Sequence, residues 1–92
     1  MKRRAERTRE EQELSERLSE VLRAARRGWD HWIDLANKRD RLRTMDQADE
    51  VVLEQLRATE AVMTQRAVEI DQLEAQANRL LYRLGERPLR CP

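Results

Sequence analysis

Apolar residues recur every seven positions along almost the entire chain. The column begins at Leu14 and ends at Leu84, and its members are apolar except at Gly28 and Asp49. A seven-residue repeat matches two turns of an α-helix, so it favours helix over strand throughout. The chain has 2 Gly and 2 Pro, and 40% of its residues are charged. This composition is typical of long helices and coiled coils, not of a thick globular core.

A second, mainly apolar column runs beside the first and changes phase between residues 39 and 49. Its members are Leu18, Ala25 and Trp32 before that segment, and Val52, Thr59, Arg66, Leu73 and Leu80 after it. The intervening segment is polar, so the pattern predicts a break there. We therefore predict an all-α fold, a long antiparallel helical hairpin with helices over about residues 8–40 and 45–84. A single continuous helix in a parallel coiled coil is the alternative, because neither Gly nor Pro marks the turn.

Capping signals lie near the predicted helix ends. Thr8 with Glu11 forms a capping-box pattern at the start of the first helix, and Thr44 with Gln47 repeats it at the start of the second. Gly85 suits the left-handed position that follows a helix, and Pro88 comes shortly after it. These signals support two helices with separate beginnings.

The distribution of charge also favours the hairpin. Residues 1–45 hold 13 basic and 9 acidic residues, whereas residues 46–84 hold 4 basic and 8 acidic residues. Folding the two halves together therefore brings unlike charges near each other. Two helices alone bury little apolar surface, so we expect a homodimer with a coiled-coil-like four-helix arrangement. The domain spans residues 1–92, with a basic N-terminal arm at 1–9 and a C-terminal tail at 85–92.

The sequence argues against several functional classes. Its apolar runs are too short to cross a membrane, and its N-terminus lacks the apolar region of a secretory signal. Cys91 is the single cysteine, so no internal disulfide forms, and a cytoplasmic protein is expected. The sequence has no nucleophile–base constellation, no Gly-rich phosphate loop, and no second His or Cys near His31. We expect a protein that is not an enzyme and holds no cofactor or metal.

The two Trp residues of the chain are the main candidates for function. Trp29 and Trp32 are three positions apart, so a helix places them on one face, where they either fill the core or form an exposed binding site. Trp is enriched among residues that dominate binding energy. We predict a partner-binding site of Trp29, Trp32 and Ile33 with Arg26 and Arg27 at its rim. The protein would then be an adaptor or regulator, such as a phage or mobile-element accessory protein that binds a host coiled-coil or helical protein.

Two other functions remain open. The N-terminal half is basic, and Lys2, Arg3, Arg4, Arg7 and Arg9 could bind the phosphates of a nucleic acid. Such binding would weaken steeply as the salt concentration rises. The chain could also be a structural coiled coil that assembles with itself, in which case its mass would grow with concentration.

A short pattern near the C-terminus resembles a known signal. Tyr82 and Glu86 match a Tyr-x-x-x-Glu pattern that is similar to the C-terminal signal of WXG-type secreted helical hairpins. That family carries a Trp-x-Gly turn, whereas here Gly28 precedes Trp29 and both lie inside the first predicted helix. The resemblance covers five residues and assigns no family.

Overall fold

A computed structural model describes residues 8–89 and shows two long antiparallel helices. Helix α1 spans Arg9–Arg43 and helix α2 spans Glu50–Arg83, and the two pack along their length. The molecule measures 70 × 24 × 16 Å. The predicted hairpin is confirmed, and the alternative of one continuous helix is wrong. Residues 1–7 of the basic arm and residues 90–92, with Cys91, lie outside the described residues.

The seven-residue column forms the seam between the helices. Ile70 is 2% exposed and packs against Gly28 near the middle of α1. Ala77 is fully buried and clusters with Leu14 and Val21 nearer the end of α2. Burying a large aliphatic side chain contributes about 1.5–3 kcal/mol to stability. The buried apolar residues are Leu14, Val21, Ala25, Leu42, Val52, Met63, Ile70, Ala77 and Leu80. Since every one of these residues belongs to one of the two predicted columns, the heptad pattern placed the core correctly.

Gly28 occupies a position in the seam where the pattern expects an apolar side chain. A Cβ atom at Gly28 would lie 3.0 Å from Cγ1 of Ile70 and 3.6 Å from its Cδ1. The absence of a side chain therefore lets α1 approach Ile70 closely. Glycine inside a helix costs about 1 kcal/mol relative to alanine, so we expect the close packing on Ile70 to compensate for this cost.

The turn is built differently from the prediction. Thr44 is the C-cap of α1, and its backbone N–H donates to the carbonyls of Arg41 and Leu42. The side-chain amide of Gln47 donates to the carbonyl of Leu42 at 3.1 Å, so it caps α1 and takes no part in starting α2. Asp49 is the N-cap of α2, because its carboxylate accepts from the backbone N–H of Val51 at 2.9 Å. Polar side chains thus satisfy the helix ends without Gly or Pro, and the helix boundaries fall at 43 and 50 instead of 40 and 45.

The outer helix ends match their predicted caps. Thr8 and Glu11 form the reciprocal capping box, in which each side chain accepts from the other residue's backbone N–H. At the end of α2, Gly85 has φ 77°. The N–H of Glu86 donates to the carbonyl of Leu81 at 2.8 Å, and that of Gly85 donates to Tyr82 at 3.0 Å. These two bonds make a Schellman motif, which requires a left-handed residue at position 85.

We expect Gly85→Ala to lower the free energy of unfolding by about 1–2 kcal/mol, because a Cβ atom disfavours the left-handed conformation. Apart from its two chain neighbours, no described residue has an atom within 4 Å of a Cβ at this position, so the effect comes from the backbone conformation. Urea unfolding followed by circular dichroism measures it. Gly85→Asn is the matched variant. Its free energy of unfolding should fall less than that of Gly85→Ala, since Asn tolerates the left-handed conformation better than Ala. Equal stability of glycine and alanine at this position would contradict the Schellman ending.

Candidate protein-binding face

A stripe of large apolar side chains remains exposed on one flank of α1. Leu22, Trp29 and Ile33 are 36%, 39% and 48% exposed, and Trp32 beside them is half-buried. Spacings of seven and four residues keep the first three on one side of the helix. We call these four residues the Trp face. They include every Trp of the chain.

The two indole rings contact each other on this face. Their centroids are 5.8 Å apart and their planes meet at 77°, which is an edge-to-face contact. Such pairs contribute about 0.5–1.5 kcal/mol beyond the burial of their area. The Nε1–H of Trp29 donates to Oε2 of Glu74 on α2 at 3.2 Å. The Trp29 ring therefore contacts both helices, and part of its surface remains exposed. A side chain that is already held in place loses little conformational entropy when a partner binds.

A shallow groove adjoins the Trp face on the α2 side. Its apolar part is formed by Trp32, the buried Met63 and Ala67. Glu60 at its border accepts from Nη2 of Arg43 at 3.0 Å, and Arg39 donates from Nε to Asp40 at 3.2 Å. The charges at its border are thus paired with one another. The groove and the exposed stripe together form a surface with an apolar centre and a polar margin.

The structure brings one of the two predicted rim residues to this surface. Arg26 lies one turn before Trp29, and its Nε is 3.8 Å from Oδ1 of the exposed Asp30. Arg27 instead lines a separate groove together with His31 and Glu69. Positions 27 and 29 are about 200° apart around a helix, so their side chains point to opposite flanks. Arg27 is therefore not part of the Trp face.

The separate groove also contains the charged residue that interrupts the second seam column. Arg66 is half-buried there and donates from Nη1 to Oε1 of Glu69. Its Nε is buried and has no hydrogen-bond partner among the described residues. The Arg66 side chain is 33% exposed, and its guanidinium is paired with Glu69 through Nη1.

The contribution of α2 to the candidate site was missed from the sequence. Glu74, Met63 and Ala67 meet the Trp residues because of the register between the helices. Glu74 is 45 positions from Trp29, and no spacing within one helix relates the two. The opposite charges of the two halves gave a weak signal for antiparallel packing, but they did not set the register.

The residues predicted for nucleic-acid binding are mostly beyond the described part. Lys2, Arg3, Arg4 and Arg7 lie outside residues 8–89, and Arg9 is the first residue of α1. The Nε of Arg9 is 4.0 Å from Oε2 of Glu13, and both side chains are exposed. An exposed pair of this kind contributes at most about 1 kcal/mol and leaves Arg9 accessible.

Residues 8–89 contain no group of three or more His, Cys, Asp or Glu side chains placed to hold a metal ion. Neither of their helices is both long and apolar enough to cross a membrane. Comparison with protein-family models, with curated proteins and with solved structures gives no significant match.

Proposed function

We propose that the hairpin is a non-catalytic protein-interaction module that binds an amphipathic helix of another protein on its Trp face. The observation that carries this proposal is the exposed stripe of Leu22, Trp29 and Ile33 in a chain whose residues are 40% charged. Contiguous exposed apolar surface of this kind commonly marks an interaction site. Trp residues at the centre of such a site supply most of the binding energy.

A helix fits this surface better than an extended peptide or a small ligand. The stripe from Leu22 to Ile33 runs along α1 for about 16 Å, which is three helical turns. An amphipathic helix can lay its own apolar stripe beside it, with large side chains entering the groove next to Trp32. Arg26 and Asp30 at the margin carry both signs of charge, so shape and apolar contact select the partner more than net charge does.

The proposed role is that of a cytoplasmic adaptor or regulator. A coiled-coil scaffold is a suitable target, since coiled coils present long helical surfaces. The Arg-rich and aromatic-poor composition would suit an accessory protein of a phage or mobile element that redirects such a host protein. Nucleic-acid binding through the basic arm and self-assembly into a structural rod remain the alternative functions.

We expect Ile33→Glu and Trp29→Ala each to weaken partner binding by more than about tenfold, the usual effect of removing a binding hot spot. The full chain is used for affinity capture from a host lysate that has been treated with nuclease. Each captured protein is then titrated against the variants. Arg27→Ala is the matched control, because it changes an exposed residue on the opposite flank of the same helix and should leave binding unchanged.

The outcome separates the proposed function from its alternatives. Equal loss of binding in Arg27→Ala and Ile33→Glu would move the site away from the Trp face. Partners that disappear with nuclease, or whose binding falls steeply with salt, would indicate nucleic-acid binding through the basic arm. Circular dichroism shows whether a variant that fails to bind has kept its helices.

A further inference from the structure

α2 presents a second heptad seam to solvent, on the side away from α1. Its central residue, Val68, is 51% exposed and lies two positions before the buried Ile70, about 200° around the helix. The seam consists of Ala58, Ala61, Gln65, Val68, Gln72 and Ala75, all of which are exposed. Their spacings alternate between three and four residues, the rhythm with which helices pack side by side. We call these six residues the outer seam.

The outer seam lies in a part of the surface that is depleted of charge. None of the six outer-seam residues is charged. Among the described residues 58–78, Asp71 is exposed beside the seam, and the side chains of Glu60 and Glu69, which are each 42% exposed, pair with arginines on the flanks of α2. The other exposed positions of that stretch hold alanine, valine, threonine or glutamine, and Val62 as well as Val68 is exposed. In α1, by contrast, most exposed positions between residues 20 and 40 are charged. Depletion of charge distinguishes the centre of a protein interface from the ordinary surface of a hydrated helix.

Charges of opposite sign stand at the two ends of the outer seam. Glu54 lies four positions before Ala58, and Arg79 lies four positions after Ala75; both are exposed. The intervals between successive residues from Glu54 to Arg79 are the same whether they are counted forwards or backwards. In an antiparallel pair of α2 helices, each outer-seam residue of one copy can therefore lie opposite an outer-seam residue of the other. In that register Glu54 faces Arg79, and Ala58 faces Ala75. A parallel copy would instead place Glu54 against Glu54 and Arg79 against Arg79.

The geometry points to a second copy of this chain as the occupant of the outer seam, in an antiparallel α2–α2 dimer. Such an interface is isologous and closes with two copies. The seam from Glu54 to Arg79 extends for about 38 Å, and its alanines allow the helix axes to approach to about 8 Å. Gln65 and Val68 of the two copies meet at its centre. The electrostatic pairs at its two ends fix the direction of packing.

The dimer has the layer order α1, α2, α2, α1, with the two copies of α2 inside. The Trp face lies on α1 and stays accessible in both copies. The dimer would therefore offer two partner-binding surfaces, one on each copy. The interface uses different residues from the Trp face, so the inference does not rest on the proposed function.

The test is the mass of the full chain over a range of concentrations, measured by sedimentation equilibrium. We expect a reversible dimer, and we expect Val68→Glu to raise its dissociation constant by more than about tenfold because it buries two unpaired carboxylates. The combined variant Gln65→Glu with Gln72→Glu introduces charge with little change of shape. It should also raise the dissociation constant of the dimer. Ile33→Glu is the matched control on the Trp face and should remain dimeric. Circular dichroism confirms that each variant is helical.

The direction of packing is tested by exchanging charges. Glu54→Arg alone should weaken the dimer, and adding Arg79→Glu should restore it, because the exchange regenerates opposite charges across an antiparallel interface. A monomer at every concentration, or a dimer unaffected by Val68→Glu and by the glutamine variant, would overturn the proposal. Dissociation by Ile33→Glu would place the interface on the Trp face instead. Failure of the second exchange to restore the dimer would overturn the antiparallel register.

Discussion

Ile70→Ala is expected to lower the free energy of unfolding by about 2–5 kcal/mol, the range found when a large buried aliphatic residue is truncated. Ile70 is the largest side chain in the described residues that is almost fully buried. Domains of this size have total stabilities of only about 5–15 kcal/mol, so this loss would leave a marginal fold. Urea unfolding followed by circular dichroism, at a fixed protein concentration, measures the difference.

Val51→Ala is the matched control for Ile70→Ala. It also removes aliphatic carbons from α2, but Val51 is 60% exposed. We expect its effect to stay within about 0.5 kcal/mol, as for other surface substitutions. Similar losses in the two variants would mean that the seam at Ile70 is not the main source of stability.

The regular part of the fold was predictable because it depends on local and periodic signals. A heptad column requires that its members share one side of a helix, and the buried Val21, Met63 and Ile70 follow from that rule. Thr8 and Gly85 act within a few residues of their positions, so their capping roles can be read from the sequence alone. The presence of two helices followed from the shift of the second apolar column between residues 39 and 49.

The turn was not predictable at the same precision, because several residues there compete for the same role. Thr44 and Gln47 have the spacing of a capping box, yet Thr44 ends α1 and Gln47 donates to the last carbonyls of that helix. Asp49 is an equally good N-cap by residue type and takes the start of α2. Which of these alternatives prevails depends on the loop length that the packed helices allow.

The α1 residues of the candidate site could be predicted from the sequence, but the α2 residues that contact them could not. Trp29 and Trp32 had to share a flank because of their spacing, and the edge-to-face contact agrees with it. The same rule excludes Arg27, which is two positions from Trp29, and it should have been applied to the predicted rim. The bond from Trp29 to Glu74 depends on the interhelical register. We expect the contact of Gly28 with Ile70 to help set that register, because the missing side chain lets the helices approach closely there.

Gly28→Leu is expected to lower the free energy of unfolding by about 1–3 kcal/mol through overpacking. Leucine is a better helix former than glycine by somewhat less than 1 kcal/mol, so propensity alone predicts the opposite sign. A Cβ atom at this position would already be 3.0 Å from Cγ1 of Ile70, and the rest of a leucine side chain must displace that residue or move the helices apart. A decrease in the free energy of unfolding on Gly28→Leu would therefore show that the helices are closely packed at this position.

A double-mutant cycle isolates this contact from other effects. Ile70→Ala leaves space opposite position 28, so Gly28→Leu should be less harmful, or even stabilising, when it is combined with Ile70→Ala. We expect a coupling of about 0.5–3 kcal/mol between the two substitutions. Ser19→Leu, at an exposed position of α1, is the control for helix propensity and should change stability little. Additive effects at positions 28 and 70 would mean that Gly28 does not set the helix spacing, and the register that joins Trp29 to Glu74 would then need another cause.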